Sequence, residues 1–415
     1  MIKKHANLSL NIIILMVERI LQMLLSIACI GFIAHSLNIE DNGKFAYAYS
    51  LSTVLVTLSY FAGSELIISK LSKYKFVQKN IITTGFYLRV IFGIVCLITS
   101  FIFSFIYIHD SEVRLTFLLC IIGPLVGESI YILGCWFTAN RLNFWFSIAR
   151  TIGLCGRFFT ILYLSKFTWV KMHHFAYAYA VEAVFISFFT ILFYFKHQKS
   201  PKWGKLNRLI FKSLFKDGML IGTSLVLYYL FLRFDRILLE KLVDYESLGL
   251  YTTIMQLNDA WLNIGIMICS ILGPYFIFNC RDNKEAQVRL YKIMSVMIAA
   301  SVLTALILPF ISYSLIIKIL GKQYTHGVSL LNLGIFLAVP VFMNQVFTLW
   351  WLREKAYKTQ IFIWIIGIVT MFGTSGILVQ KYNITGMLYC VFLAYIIMLV
   401  FQFVYINYPK IKGGK

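Results

Sequence analysis

Runs of about 20 apolar residues recur about twelve times along this chain, and no other feature restricts its fold so tightly. A helix rising 1.5 Å per residue needs roughly 20 residues to cross a hydrocarbon core about 30 Å thick. Stretches such as "IIILMV" and "LVLYYLFL" are unbroken, which excludes the short alternating strands of an outer-membrane barrel. The spacing predicts spans near 8–35, 45–69, 81–108, 115–138, 144–165, 175–195, 218–242, 248–279, 290–318, 328–352, 359–380 and 384–407. With 60% hydrophobic and only 13% charged residues among 415, a water-soluble domain is excluded. The expected class is an all-α integral membrane protein.

Lys and Arg in the connections set its orientation. An N-terminus inside puts most of the 38 basic residues on the cytoplasmic side, together with the C-terminus. The net charge of +21 then reads as a topology signal and a basic inner surface facing membrane lipids. Scattered over short connections, it fits nucleic acid poorly. The first apolar stretch is too long for a signal-peptide core and has no small-residue cleavage motif after it, so it is expected to remain as the first span. The 8 cysteines form no C-x-x-C pair and read as packing residues. His173 and His174 are adjacent without metal-ligand spacing, so neither metal nor cofactor is expected.

One long basic connection, "KHQKSPKWGKLNRLIFKSLFKDG", separates six spans from six. It predicts an N-terminal lobe over 1–195, a cytoplasmic linker over 196–217 and a C-terminal lobe over 218–415. Weak internal repetition agrees. "EDNGKFAYA" corresponds to "YESLGLYTT", matching Gly43 with Gly249, and "WFTANRLNFWFSIARTIG" to "WWLREKAYKTQIFIWIIG". The second alignment pairs Trp136 with Trp350, Arg141 with Lys355 and Gly153 with Gly367. Six spans per half makes the repeats parallel, so two six-helix bundles related by a pseudo-two-fold axis along the membrane normal are expected, with substrate near the midplane. Pro124, Pro274, Pro309 and Pro340 fall within spans, as hinges or as fixed bends.

Charges inside the spans carry the strongest functional signal: Glu18, Arg19, Glu65, Arg89, Glu128, Arg157, Glu182, Arg233, Asp235, Arg236 and Asp259, with Arg150 near the inner boundary. At roughly 3 kcal/mol each, such a set facing lipid costs on the order of 30 kcal/mol. Ion pairs between helices lower that cost, and a water-filled cavity lowers it further. Arg150 and Arg157, seven apart, share one helix face, as do Arg233 and Arg236, three apart. Arg236 and Glu65 also have a snorkelling alternative. In "QLNDAWLN", Gln256, Asp259 and Asn263 stack on one face, with Asn258 and Trp261 close by. Amides, a carboxylate and an aromatic ring suit sugar hydroxyls and apolar sugar faces; interhelical hydrogen bonding is the other use for them.

"FLRFDRILLEKLVDYESLGLYTTIMQL" resembles a hallmark of polysaccharide flippases, in which an arginine and aspartate group ends a span and Gly and Tyr open the next. "KILGKQYTHGVSLLNLG", "LVQKYNITGMLYCVFLAY" and "LNIEDNGKFAYAYSL" are similar to further elements of the same group and occur in the right order over nearly the whole chain. The resemblance is to the Wzx-type flippases of O-antigen and capsule repeat units, within the multidrug, oligosaccharidyl-lipid and polysaccharide (MOP) exporter superfamily. Lys44 departs from the usual apolar residue after the turn glycine. The resemblance implies two six-helix bundles around a cavity. It also implies transfer of an undecaprenyl-diphosphate-linked oligosaccharide from the cytoplasmic to the periplasmic leaflet of a bacterial inner membrane, alongside other polysaccharide assembly proteins. For that substrate Arg19, Arg89, Arg150, Arg157, Arg233 and Arg236 are candidate diphosphate ligands, with Asp235 orienting the last two. Gln256, Asn258, Asp259, Trp261 and Asn263 are candidate sugar contacts. Glu18, Glu128 and Asp259 are candidates for coupling to H⁺ or Na⁺. A drug/cation antiporter of the same superfamily is the alternative. A polymerase or ligase is less favoured, because no large external loop carries catalytic groups.

Overall fold

The computed structural model describes residues 2–60, 63–198, 203–278, 280 and 282–407, with side chains from Glu18 onward apart from a few positions, Glu65 among them. No strand occurs among the described residues. The helices are α1 (Ile2–Ser36), α2 (Ile39–Val56), α3 (Ser64–Lys73), α4 (Gln78–Tyr107), α5 (Ser111–Ile130), α6 (Ile132–Ala139), α7 (Asn143–Leu164) and α8 (Met172–His197), then α9 (Arg208–Leu239), α10 (Tyr245–Gly273), α11 (Asn283–Ile319), α12 (Val328–Gly334), α13 (Ala338–Arg353), α14 (Tyr357–Tyr382) and α15 (Ile384–Asn407). Among the described residues, 9 helices or helix runs are long and apolar enough to cross a membrane. The expected spans outside that set are α2 with α3, α7 and α10. Two of them remain long helices, α7 of 22 residues and α10 of 29. Their hydropathy is diluted by Arg150 and Arg157 in α7 and by Asn258, Asp259 and Asn263 in α10, the polar groups that drew attention in the sequence. This is a multi-pass membrane protein.

Two compact units divide the chain, Met1–Tyr229 and Leu230–Lys415, and the boundary falls within α9. That helix begins at Arg208, inside the basic connection. In the first unit α7 packs on α8 and α1, α8 on α5, and α5 on α2 and α4. In the second, α13 packs on α10, α11 and α15, and α15 on α14. Helix α4 shows what sorts its faces. Ile91, Ile94, Ile98, Phe101 and Phe105 are exposed at helical spacing, while Arg89, Gly93, Cys96, Ser100 and Ser104 form the buried stripe. Bulky apolar groups meet lipid, and small or polar ones allow close packing inside.

Helix breaks follow local chemistry. Gly63, between α2 and α3, has φ +52, and a Cβ there would sit 2.9 Å from Ile221 Cγ2, so glycine suits both the backbone and the space. Pro124 and Pro309 lie inside α5 and α11. Pro274 opens a π-helical turn after α10, and Pro340 sits in the first turn of α13.

The repeat seen in the sequence is written into matching turns. Asn38 Oδ1 accepts from Asp41 N (2.6 Å) at the start of α2, and Asp244 Oδ1 accepts from Ser247 N (2.7 Å) at the start of α10. After α6, Leu142 N donates to the Phe137 carbonyl (2.8 Å) and Arg141 N to the Thr138 carbonyl (3.2 Å). After α13, Ala356 N donates to Trp351 (2.9 Å) and Lys355 N to Leu352 (3.2 Å), the same Schellman pattern. Arg141 (φ 62) and Lys355 (φ 53) are both left-handed, a conformation that costs an L side chain about 1 kcal/mol or more. Arg141→Gly and Lys355→Gly are each expected to raise the thermal unfolding midpoint in detergent, by an amount equivalent to about 1 kcal/mol. A midpoint that is unchanged or lower at both positions would contradict this reading.

Candidate functional site

Within the first unit, three arginines are each held by a carboxylate from another helix. Helix α1 supplies Glu18, Gln22 and Ser26, four residues apart and so on one face. Arg150 of α7 pairs with Glu18 (Nη2 to Oε1, 3.3 Å), and Gln22 Nε2 donates to the same oxygen (2.8 Å). Two turns along α7, Arg157 Nη1 donates to Glu182 Oε2 of α8 (2.9 Å) and Nη2 to Ser26 Oγ (3.2 Å). Its guanidinium also lies over the Tyr179 ring, 5.0 Å from the centroid. A polar seam therefore runs along α1, α7 and α8 inside helices of membrane length. Arg89 of α4 donates through Nη1 to the Glu128 backbone oxygen of α5 (3.0 Å), lies 3.5 Å from its carboxylate, and reaches Ser64 Oγ through Nη2 (3.4 Å).

Accessibility separates these arginines. Arg89 is 2% exposed, whereas the side chains of Arg150 and Arg157 are 26% and 13% exposed. Arg89 ties α4 to α5 and Ser64, and the other two keep part of their side chains exposed. Among the described residues, the buried Nε atoms of Arg150 and Arg157 and Oε2 of Glu18 have no hydrogen-bond partner, so the seam keeps unused polar capacity.

In the second unit one carboxylate serves two arginines. Asp259 Oδ2 of α10 accepts from Arg233 Nη1 (3.2 Å) and from Arg236 Nη2 (2.5 Å), both of α9. Arg236 is 2% exposed, so it does not snorkel and is not placed to meet a diphosphate in this conformation. Asp235 is anchored elsewhere. Its Oδ2 accepts from the buried Tyr251 hydroxyl (2.8 Å) and its Oδ1 from Arg236 N (2.8 Å), tying α9 to α10. The reason is helical phase: Asp235 sits roughly 100° from Arg236 around the axis, away from the face it shares with Arg233.

The expected sugar face divides in the same way. Gln256 and Asp259 are half-buried and Asn263 is exposed, as residues on one partly open face. Asn258 points elsewhere: it is 1% exposed, and a Cβ at Gly334 of α12 would lie 3.5 Å from its Nδ2. Trp261 packs its ring against Phe342 of α13, with centroids 5.6 Å apart. Arg19 is exposed on α1, and the side chain of Glu65 lies outside the described set. Gln22 and Ser26 are additions to the sequence-derived set, and Tyr251, a motif residue there, gains a partner. The spacing of Gln22 and Ser26 behind Glu18 was legible; the Tyr251 bond to Asp235 was not.

Lys171, outside the spans, donates to Glu112 Oε1 (2.8 Å), and that carboxylate holds its ammonium pKa above the ordinary lysine value.

A profile described as polysaccharide biosynthesis protein matches residues 8–278. Among solved structures, the chain resembles an inward-facing multidrug resistance MATE family transporter of the MOP superfamily (TM-score 0.69, 14% identity, covering 95% of this chain and 96% of that one). It resembles the lipid II flippase MurJ in an inward closed conformation (TM-score 0.65, 14% identity, 94% and 86%). A third is a MOP superfamily transporter from Pyrococcus furiosus (TM-score 0.57, 12% identity, 95% of each chain). No curated protein sequence matches the chain. At these identities the structural likeness establishes the fold, and the sequence profile covers well over half the chain. The chain thus belongs to the polysaccharide biosynthesis protein family, on a helical fold like that of these solved transporters.

Proposed function

We propose that this protein is a flippase. It carries undecaprenyl-diphosphate-linked repeat units of O-antigen or a related polysaccharide from the cytoplasmic to the periplasmic leaflet of the bacterial inner membrane by alternating access, with both termini cytoplasmic. The observation that carries this reading is the seam of partly exposed arginines, Arg150 and Arg157 on one helix face, each held by a carboxylate on a neighbouring helix. A sugar diphosphate cannot enter hydrocarbon, where each unpaired polar group costs several kcal/mol. An arginine already paired within the protein can exchange a carboxylate for phosphate oxygens without ever being left bare, and its planar fork suits both. Arg150, Arg157 and Arg233 are assigned that role. Gln256, Asp259 and Asn263 meet the sugars. The family and the fold shared with a lipid II flippase support a lipid-linked saccharide as cargo.

Outward movement of the diphosphate runs downhill in an inside-negative potential, by about 2.3 kcal/mol per charge per 100 mV. Glu18, Glu128 and Asp259 are carriers for H⁺ or Na⁺ counter-transport if ions drive the cycle. The drug/cation antiporter reading is less favoured, because Glu18, Glu128, Glu182 and Asp259 all face arginines where a cationic drug would need free carboxylate. A vesicle assay with a fluorescent undecaprenyl-diphosphate oligosaccharide tests the proposal. Translocation is expected to respond when the potential or an ion gradient is collapsed separately. No translocation by the intact protein, with efflux of cationic drugs instead, would overturn it.

A further inference from the structure

At one end of the first unit lies a cavity of about 200 Å³ that the charge seam does not use. Among the described residues it is lined by Ile82, Leu133, Ile191, Phe195 and Trp203, with the polar groups of Thr83 and Tyr194, and Lys79 is the charged residue of its wall. The wall at Trp203 belongs to the connection after α8 and is pinned in place. Gly204 N donates to Thr83 Oγ1 (2.9 Å) and Lys205 N to Asn80 Oδ1 (3.1 Å), and the Trp203 ring lies 5.0 Å from that of Phe86. A Cβ at Gly204 would fall 2.5 Å from Asn80 N, so the connection lies as close to α4 as a backbone can. The cavity is thus a built feature of the fold.

Its size and chemistry define the occupant. Ligand pockets begin at about 300 Å³, so this space takes part of one chain rather than a saccharide, and its lining offers carbon. Two of the chain segments that line it are basic, and Asp217, just beyond them, is already paired with Lys70 (3.0 Å). No acidic residue occurs from 66 to 109 or from 183 to 216, whereas Lys73, Lys75, Lys79, Lys196, Lys205 and Arg208 do. Trp203, exposed in that wall, is of the side-chain type that settles at a membrane-water interface. We infer that this cavity binds one acyl chain of an anionic phospholipid whose phosphate is held at Lys79. The inference rests on the proposed topology only for the leaflet concerned, the cytoplasmic one.

The test uses the full chain in nanodiscs and needs no transport. About one lipid in ten of a phosphatidylcholine bilayer is replaced by chain-brominated phosphatidylglycerol or by chain-brominated phosphatidylcholine. The Trp203 fluorescence is taken as the difference between the native protein and Trp203→Phe. Brominated phosphatidylglycerol is expected to quench that signal at about fivefold lower mole fraction, the ratio that one lysine near a lipid surface supplies. Lys79→Gln should abolish the preference, and Ile191→Phe, which fills the space, should reduce quenching by both lipids. Native mass spectrometry of the unmodified protein gives a second readout, in which phosphatidylglycerol should be retained over phosphatidylcholine. Equal quenching and equal retention of the two lipids would overturn the inference. Relief of quenching by undecaprenyl phosphate at equal mole fraction would also overturn it, giving the cavity to the carrier lipid instead. Because both leaflets of a nanodisc carry the same lipids, a negative result leaves the flippase proposal standing.

Discussion

Asp259→Ala is expected to lower the stability of the folded protein by about 3–5 kcal/mol, the cost of leaving a buried charge without its partner. Asp259 is the carboxylate that Arg233 and Arg236 share, and Arg236 is 2% exposed, so water cannot take over its role. Removing it also leaves two guanidiniums of like charge on one helix face. Detergent unfolding and the amount of protein in the membrane give the readout. Asp235→Asn is the control, because the amide oxygen can still accept from Arg236 N while the amide NH2 donates to the Tyr251 hydroxyl oxygen, and a loss of only about 1 kcal/mol is expected. A double change, Arg236→Met with Asp259→Leu, replaces the buried pair by apolar groups and should recover most of the stability. Were Asp235→Asn the more damaging single change, the assignment of Asp259 as the shared counter-ion would be wrong.

That contrast marks the limit of what the sequence disclosed. The pairing of Arg233 with Arg236 on one face followed from their spacing, since three residues nearly complete a helical turn. Their counter-ion did not, because the nearest acid in sequence, Asp235, is turned away and the acting one comes from the next helix. Periodicity fixes the direction of a side chain but not which neighbour meets it. The repeat of the turns was legible for the opposite reason: the caps that the structure shows there, at Asn38 and Asp244, depend on contacts within four residues. The family motifs themselves are largely such architecture. Tyr251 and Tyr324 are fully buried, and Gly321 and Asn383 have positive φ. These residues advertise the fold in the sequence, while the arginine seam along α1, α7 and α8 is assembled by tertiary packing. The break at Gly63 was missed because no proline announces it; its signal was a lone glycine needing φ +52.

Arg157 offers the sharpest separation of structure from transport. It joins Glu182 of α8, Ser26 of α1 and the Tyr179 ring, three contacts that the planar guanidinium makes at once. A lysine keeps the charge but cannot donate in two fixed directions while lying over a ring. Arg157→Lys is therefore expected to leave the protein in the membrane at its normal level and to cut translocation of the lipid-linked oligosaccharide about tenfold, equivalent to ~1.4 kcal/mol in the barrier. Glu182→Ala should instead reduce the amount of folded protein, because Arg157 is 13% exposed and loses its counter-ion. The double change Arg157→Leu with Glu182→Leu removes both charges and should restore the folded level while translocation stays lost. If the double variant moved substrate at the native rate, the pair would be a packing device only and Arg157 would leave the proposed diphosphate path. Retention of the defect at full protein level means that the charge is used by the cargo, since packing alone does not distinguish a leucine pair that folds from an ion pair that folds.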